Sequence, residues 1–118
     1  MAHVLRQMGR GYSAGVIDCL TLWLTSVIDD ADGWESAAKA EAAIETATSD
    51  LLAAWRLTGA LVVAVSNEVG QGVVPATASG RLFRDALGRL NAAVAAASED
   101  VVLLVAGRPI PLRGGTTT

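Results

Sequence analysis

The chain contains 118 residues, of which 52% are hydrophobic and 18% charged, a composition that excludes an intrinsically disordered protein and fits one compact domain. Its formal net charge of −3 and its single lysine, Lys39, argue against a nucleic-acid partner, because no basic face is available for a phosphate backbone. Cys19 is the only cysteine and the apolar runs are short, so we expect no intrachain disulfide, no cysteine-based zinc site, no membrane span and a cytoplasmic location.

The first half of the chain predicts a short strand followed by two helices. Residues 1–14 are polar and interrupted by glycines, and we expect them to form an N-terminal segment outside the domain. The β-branched pair at residues 16–17 predicts a short buried strand. A helix then begins at Leu20, and alanine and glutamate predict a second helix over residues 34–56. The apolar face of the first helix comprises Leu20, Trp23, Leu24, Val27 and Ile28.

The second half predicts two further strands. Residues 61–65 and 101–105 are continuous apolar runs, which are typical of strands buried on both faces of a parallel sheet. Gly107 and Pro109 are expected to close the last strand, because glycine and proline end regular structure.

A loop over residues 66–74 and a helix from Pro75 to about Ser98 separate these two strands. The order of strands and long crossovers predicts an α/β fold in which a parallel sheet is flanked by helices. We expect a single α/β domain over residues 15–112, followed by a disordered tail over residues 113–118.

Asp18 is the first candidate for chemistry, because ligands of parallel sheets bind beyond the carboxyl ends of the strands. It directly follows an apolar strand, where an unpaired carboxylate would be costly to bury. Such an acid can hold Mg²⁺ or a nucleotide hydroxyl. Alternatively, its carboxylate can cap the helix that begins at Leu20, and both interpretations remain open at this point.

The loop after the second long apolar run is the next candidate. It contains the hydroxyl of Ser66, the amide of Asn67 and the carboxylate of Glu68. The flexible Gly70 and Gly72 follow in the same loop. Such a loop can position a ligand, or it can be an ordinary connection between a strand and a helix. The two glycines resemble the start of a dinucleotide-binding fingerprint, but a proline replaces the third glycine, so we exclude a Rossmann site.

One polar stripe of the third predicted helix carries two arginines at helical spacing. Its members are Arg81, Arg84, Asp85, Gly88 and Asn91. The arginines could clamp a phosphate, or the stripe could be a solvated face with an ion pair between Arg81 and Asp85. A glycine inside a helix costs about 1 kcal/mol relative to alanine unless something packs closely on it, and a close neighbour of Gly88 would therefore explain its presence.

Three segments together resemble one protein family. They are IDCLTLWLT (17–25), VSNEVG (65–70) with VVP (73–75), and RLFRD (81–85) with GRLN (88–91). In these motifs the chain resembles the bifunctional adenosylcobinamide kinase/adenosylcobinamide-phosphate guanylyltransferases of cobalamin biosynthesis. The resemblance extends from about Gly15 to the last predicted strand and Gly107.

The resemblance implies a P-loop NTPase fold of RecA-like type and a transferase that phosphorylates adenosylcobinamide with GTP or ATP and Mg²⁺. It further implies transfer of GMP from GTP to adenosylcobinamide phosphate through a guanylylated histidine, and a homo-oligomer. Asp18 matches the acidic nucleotide-binding position of the family, which acts on Mg²⁺ through the nucleotide. The positions that match family signatures without an assigned role are Ser66, Asn67, Glu68, Gly70, Arg81, Arg84, Asp85 and Asn91.

Two features of that family are missing from the sequence. No G-x-x-x-x-G-K-[ST] motif occurs, Lys39 lies in a predicted helix, and the position of His3 does not match the guanylylated histidine. We therefore assign no catalytic residue and expect an N-terminally truncated member, the last two thirds of the enzyme, that is inactive alone. The alternatives are a non-catalytic α/β module for subunit contacts or corrinoid binding, and an unrelated flavodoxin-like binding domain.

Overall fold

The computed structural model describes residues 14–69 and 75–114. In chain order its elements are β1 (Ala14–Asp18), α1 (Leu20–Asp30), α2 (Ala37–Leu57), β2 (Leu61–Val65), α3 (Ala78–Ala96), β3 (Val101–Val105) and β4 (Arg108–Arg113). This alternation confirms the α/β prediction. The predicted N-terminal segment lies outside the described residues except for Ala14, which is in β1. Arg113, predicted to begin the tail, is instead in β4.

β1 and β2 form a two-stranded parallel sheet in which Val16 pairs with Val63 and Asp18 with Val65. One face packs on the core and carries Ile17, Val62 and Ala64. The opposite face, which we call the bare face, is formed by Val16, Leu61, Val63 and Val65, all of them exposed. The prediction that residues 61–65 are buried on both faces is therefore wrong, because the helices form one core on one side of the pair.

The helices form because their apolar residues recur at helical spacing and meet in one core. Leu20, Leu24 and Ile28 of α1 are buried, as predicted. On α3 the buried residues are Ala86, Leu87, Leu90 and Val94. Within the described ranges, no helix has both the length and the apolar character needed to cross a membrane.

The N-terminal ends of α2 and α3 are set by side-chain caps. Ser36 accepts a hydrogen bond from the backbone N–H of Lys39, so α2 begins three residues later than predicted. Thr77 accepts from the N–H of Gly80 at 3.0 Å and starts α3 in the same way. Gly33 fixes the approach of α1 to α2, since an added Cβ would lie 2.7 Å from the Cβ of Ala40.

β3 does not join the parallel sheet in the described part of the chain, and the prediction of a third parallel strand is wrong. It pairs antiparallel with β4 through a two-residue turn at Ala106 and Gly107, whose φ angles are 51° and 74°. Positive φ at both positions is the mark of a type I′ turn, which reverses the chain at once. The segment after Gly107 therefore becomes the partner strand.

The prolines of β4 explain why this strand was not predicted. Val105 and Arg108 flank the turn and so form a hydrogen-bonded pair, which makes the next pair, Leu104 with Pro109, a non-bonded one. Pro109, and Pro111 two residues later, therefore direct their missing N–H groups away from β3, as edge strands allow. The end of β4 is tied to α3 by Arg113, whose Nη1 donates to the Ala96 carbonyl at 3.3 Å.

Candidate functional site

The carboxyl ends of β1 and β2 meet at one edge of the parallel pair. Asp18, the last residue of β1, lies opposite Val65, the last residue of β2. Neighbouring strands are about 4.8 Å apart, so the chain that leaves β2 begins beside Asp18. We call this region the carboxyl edge and define it by Asp18, Ser66, Asn67 and Glu68.

Asp18 does not cap α1. The N-cap position is Cys19, whose backbone is extended and whose side chain makes no capping hydrogen bond. Asp18 is exposed, so the premise that its carboxylate would be costly to bury is also wrong. The helix-cap interpretation is thereby removed, and what remains is an accessible carboxylate at the end of a strand.

The first two residues after β2 are held by α3. Asn91 Nδ2 donates to the Asn67 carbonyl oxygen at 2.9 Å. The Ser66 hydroxyl donates to Asn91 Oδ1 at 2.5 Å. The structure thus brings three of the predicted site residues into direct contact. Glu68 is exposed on the same loop, whereas Gly70 and Gly72 lie outside the described residues.

Residues of the predicted polar stripe on α3 contact different segments of the chain. Asn91 faces the loop after β2, while Arg81 Nη1 donates to the carbonyls of Pro75 and Ala76 at 3.2 and 3.1 Å. Arg81 therefore fixes the segment that enters α3, instead of pairing with Asp85 as one interpretation predicted. Arginine donors can satisfy backbone carbonyls as well as carboxylates.

The middle of α3 borders a shallow depression on the surface. Its lining residues are Arg84, Asp85, Gly88, Arg89 and Ala92. Apart from its chain neighbours and the backbone of its own helix, no part of the described chain lies within 4 Å of a Cβ built on Gly88, so a close neighbour that would explain this glycine is not found there. Arg84 is half-buried and Asp85 is exposed.

The carboxyl edge carries two carboxylates, those of Asp18 and Glu68. Across residues 14–69 and 75–114, no group of three histidine, cysteine, aspartate or glutamate side chains could hold a metal ion. Thr21 was not among the predicted site residues. Its Oγ1 is buried in the first turn of α1 without a hydrogen-bond partner.

Comparison with known proteins gives a family match over nearly the whole chain. The model of the family described as cobinamide kinase / cobinamide phosphate guanyltransferase matches residues 1–112. This range includes every residue of the carboxyl edge and all of α3.

Individual relatives give the same result. Bifunctional adenosylcobalamin biosynthesis protein CobU of Salmonella typhimurium is 36% identical over 104 residues, which are 83% of this chain and 57% of that protein. The Escherichia coli protein of the same name gives the same values. Bifunctional adenosylcobalamin biosynthesis protein CobP of Pseudomonas aeruginosa is 36% identical over 114 residues, 97% of this chain and 61% of that protein. The chain therefore spans less than two thirds of the length of these relatives.

Proposed function

Since the chain belongs to the cobinamide kinase / cobinamide phosphate guanyltransferase family, we propose that it supplies the nucleotide-contacting edge of a cobalamin-biosynthesis transferase. The reaction is phosphorylation of adenosylcobinamide with GTP or ATP, followed by transfer of GMP to adenosylcobinamide phosphate. The family match over residues 1–112 carries this proposal. The proposed architecture is the later part of a P-loop NTPase domain of RecA-like type, over residues 15–112, in the cytoplasm.

The proposed nucleotide acid is Asp18. Mg²⁺ is commonly held by one or two carboxylates together with substrate phosphates and waters, so a single accessible carboxylate fits this role. Bound with the nucleotide, Mg²⁺ neutralises charge on the phosphate oxygens. Asp18 would orient that ion from the end of β1, because its side chain is exposed and is not used as a helix cap.

The remaining site residues are proposed to shape the space around the phosphates. Glu68 stands on the loop beside Asp18 and would accept hydrogen bonds from nucleotide hydroxyls or from waters. Arg84, on α3, is the arginine we assign to phosphate, because a guanidinium matches phosphate oxygens with two donors. Arg81 keeps the segment before α3 in place through its bonds to Pro75 and Ala76.

Nucleotide binding by the 118-residue chain tests this proposal. We expect Mg·GTP to perturb the NMR amide signals of the carboxyl edge, and Asp18→Asn to weaken binding by at least about tenfold, equivalent to about 1.4 kcal/mol. Asp50→Asn is the matched control, because it removes the same charge from an exposed position within α2. Absence of any Mg·GTP response, or equal effects of the two variants, would refute the proposal.

The isolated chain is expected to transfer neither phosphate nor GMP. Phosphoryl transfer depends on the amides and lysine of a phosphate-binding loop, and the sequence contains no G-x-x-x-x-G-K-[ST] motif. Incubation with labelled GTP, Mg²⁺ and adenosylcobinamide checks this expectation. Labelled product would contradict it.

A non-catalytic role in subunit contacts is the second candidate. The observation that favours it is the bare face, on which Val16 and Leu61 are 68% and 69% exposed. Parallel sheets are usually covered on both faces, so an uncovered apolar face fits a subunit contact in a homo-oligomer. Association of the chain without any response to Mg·GTP would favour this candidate over the first.

A further inference from the structure

The side chain of Asn91 joins α3 to two consecutive residues of the loop after β2. Its Nδ2 donates to the Asn67 carbonyl, and its Oδ1 accepts from the Ser66 hydroxyl. An asparagine amide has a donor end and an acceptor end, and here each end faces a group of the opposite kind. One side chain therefore holds both residues in a defined orientation.

The part of α3 that carries Asn91 is anchored in the hydrophobic core. It lies one turn after Leu87 and directly after Leu90, whose side chains are 0% and 2% exposed. Val94, three residues later, is also buried. Residues three and four apart lie on one side of a helix, so Asn91 borders the buried face of α3. A residue whose own helix is fixed by the core can fix a loop in turn.

The held segment leads directly to the proposed site. Ser66 follows Val65, which pairs with Asp18, and Glu68 comes two residues after Ser66. We propose that Asn91 is a positioning residue of the carboxyl edge, which holds Ser66 and Asn67 against α3 and so determines where Glu68 lies relative to Asp18. This inference rests on the proposed function only in one respect, the identity of the ligand that the carboxyl edge binds.

Four variants separate the two hydrogen bonds from general stability. Asn91→Leu has similar volume and removes both bonds. Asn91→Asp keeps an acceptor for Ser66 but loses the donor to the Asn67 carbonyl, and Ser66→Ala removes only the hydroxyl bond. Ala92→Ser is the matched control, because Ala92 is the exposed neighbour of Asn91 on the same helix.

The first measurement is ¹⁵N relaxation on the ligand-free chain. We expect backbone order parameters at Asn67 and Glu68 to fall from near 0.85 in the unmodified chain to below about 0.6 in Asn91→Leu. Values in β2 and in α3 should stay unchanged. The two single-bond variants should give intermediate values, and Ala92→Ser should give none of these changes. A purely structural role would instead lower the melting temperature and leave the loop as ordered as the rest of the folded chain.

The second measurement is titration of the same samples with Mg·GTP. We expect Asn91→Leu to weaken binding by at least about fivefold, equivalent to about 1 kcal/mol. Loss of loop order in Asn91→Leu, with no response of the unmodified chain to Mg·GTP, would support the holding role and refute the proposed function. Unchanged order parameters, or lost order with unchanged affinity for Mg·GTP, would overturn the positioning role. If Asn91→Leu does not fold, the order parameters and Mg·GTP affinities of Ser66→Ala and Asn91→Asp test the positioning role in its place.

Discussion

The bare face of the parallel pair should make the isolated chain self-associate at high concentration. Val16, Leu61, Val63 and Val65 are 68%, 69%, 50% and 42% exposed. Full burial of a valine or leucine side chain stabilises by about 2 kcal/mol, so covering the exposed parts of these four, equivalent to a little over two whole side chains, would contribute about 4–5 kcal/mol per copy. Two copies gain about 9 kcal/mol, and an association cost of about 4 kcal/mol, as for two rigid partners, leaves about 5 kcal/mol. This corresponds to a dissociation constant of about 0.2 mM.

Sedimentation equilibrium between roughly 10 μM and 1 mM covers the concentrations at which such an association becomes visible. We expect the average mass of the unmodified chain to rise across this range, and the double variant Val16→Thr/Val63→Thr to weaken association by at least about tenfold. Threonine keeps the strand shape but places a hydroxyl where apolar contact is needed. Leu57→Thr is the control, because Leu57 is 83% exposed at the end of α2. A monomer at the highest concentration, or an equal effect of Leu57→Thr, would refute the reasoning.

Three further predictions concern single residues. Asp18→Asn should leave the melting temperature within about 2 °C of the unmodified chain while weakening Mg·GTP binding, because Asp18 is exposed and caps no helix; a calorimetric melt beside the titration checks this. Leu87→Ala should lower the free energy of unfolding by about 3 kcal/mol, since Leu87 is 0% exposed, and urea denaturation measures the loss. Gly33→Ala should cost about 1–3 kcal/mol in the same assay, because the added Cβ would lie 2.7 Å from the Cβ of Ala40.

The helices could be predicted from the sequence because their signals are local. Leu20, Leu24 and Ile28 repeat every four residues, and this spacing alone identifies the buried face of α1. The strands were harder to predict, because a continuous apolar run does not indicate which face of the strand is covered or which strand is its partner. For β3 the partner is set by the turn at residues 106–107, in which glycine is both an end signal and the residue that lets the chain reverse.

Part of the candidate site could also be predicted from the sequence. A parallel pair brings its carboxyl ends together, so the proximity of Asp18 and Ser66 follows from the order of elements. The partners of Asn91 could not be predicted, because they depend on how α3 is rotated against β2. Cys19 occupies the N-cap position in place of Asp18, a shift of one residue that capping preferences do not resolve.

The two strand pairs differ in how much chain separates their partners, and this difference bears on the order of folding. β3 and β4 are joined by two residues, and a hairpin of this kind forms in about 1–10 μs. β1 and β2 can meet only after the chain has closed a loop that contains both α1 and α2, and the entropy cost of that closure is repaid only when those helices dock. We therefore expect the carboxyl edge to assemble late in folding and to be lost first when α1 or α2 is destabilised, while the hairpin remains formed.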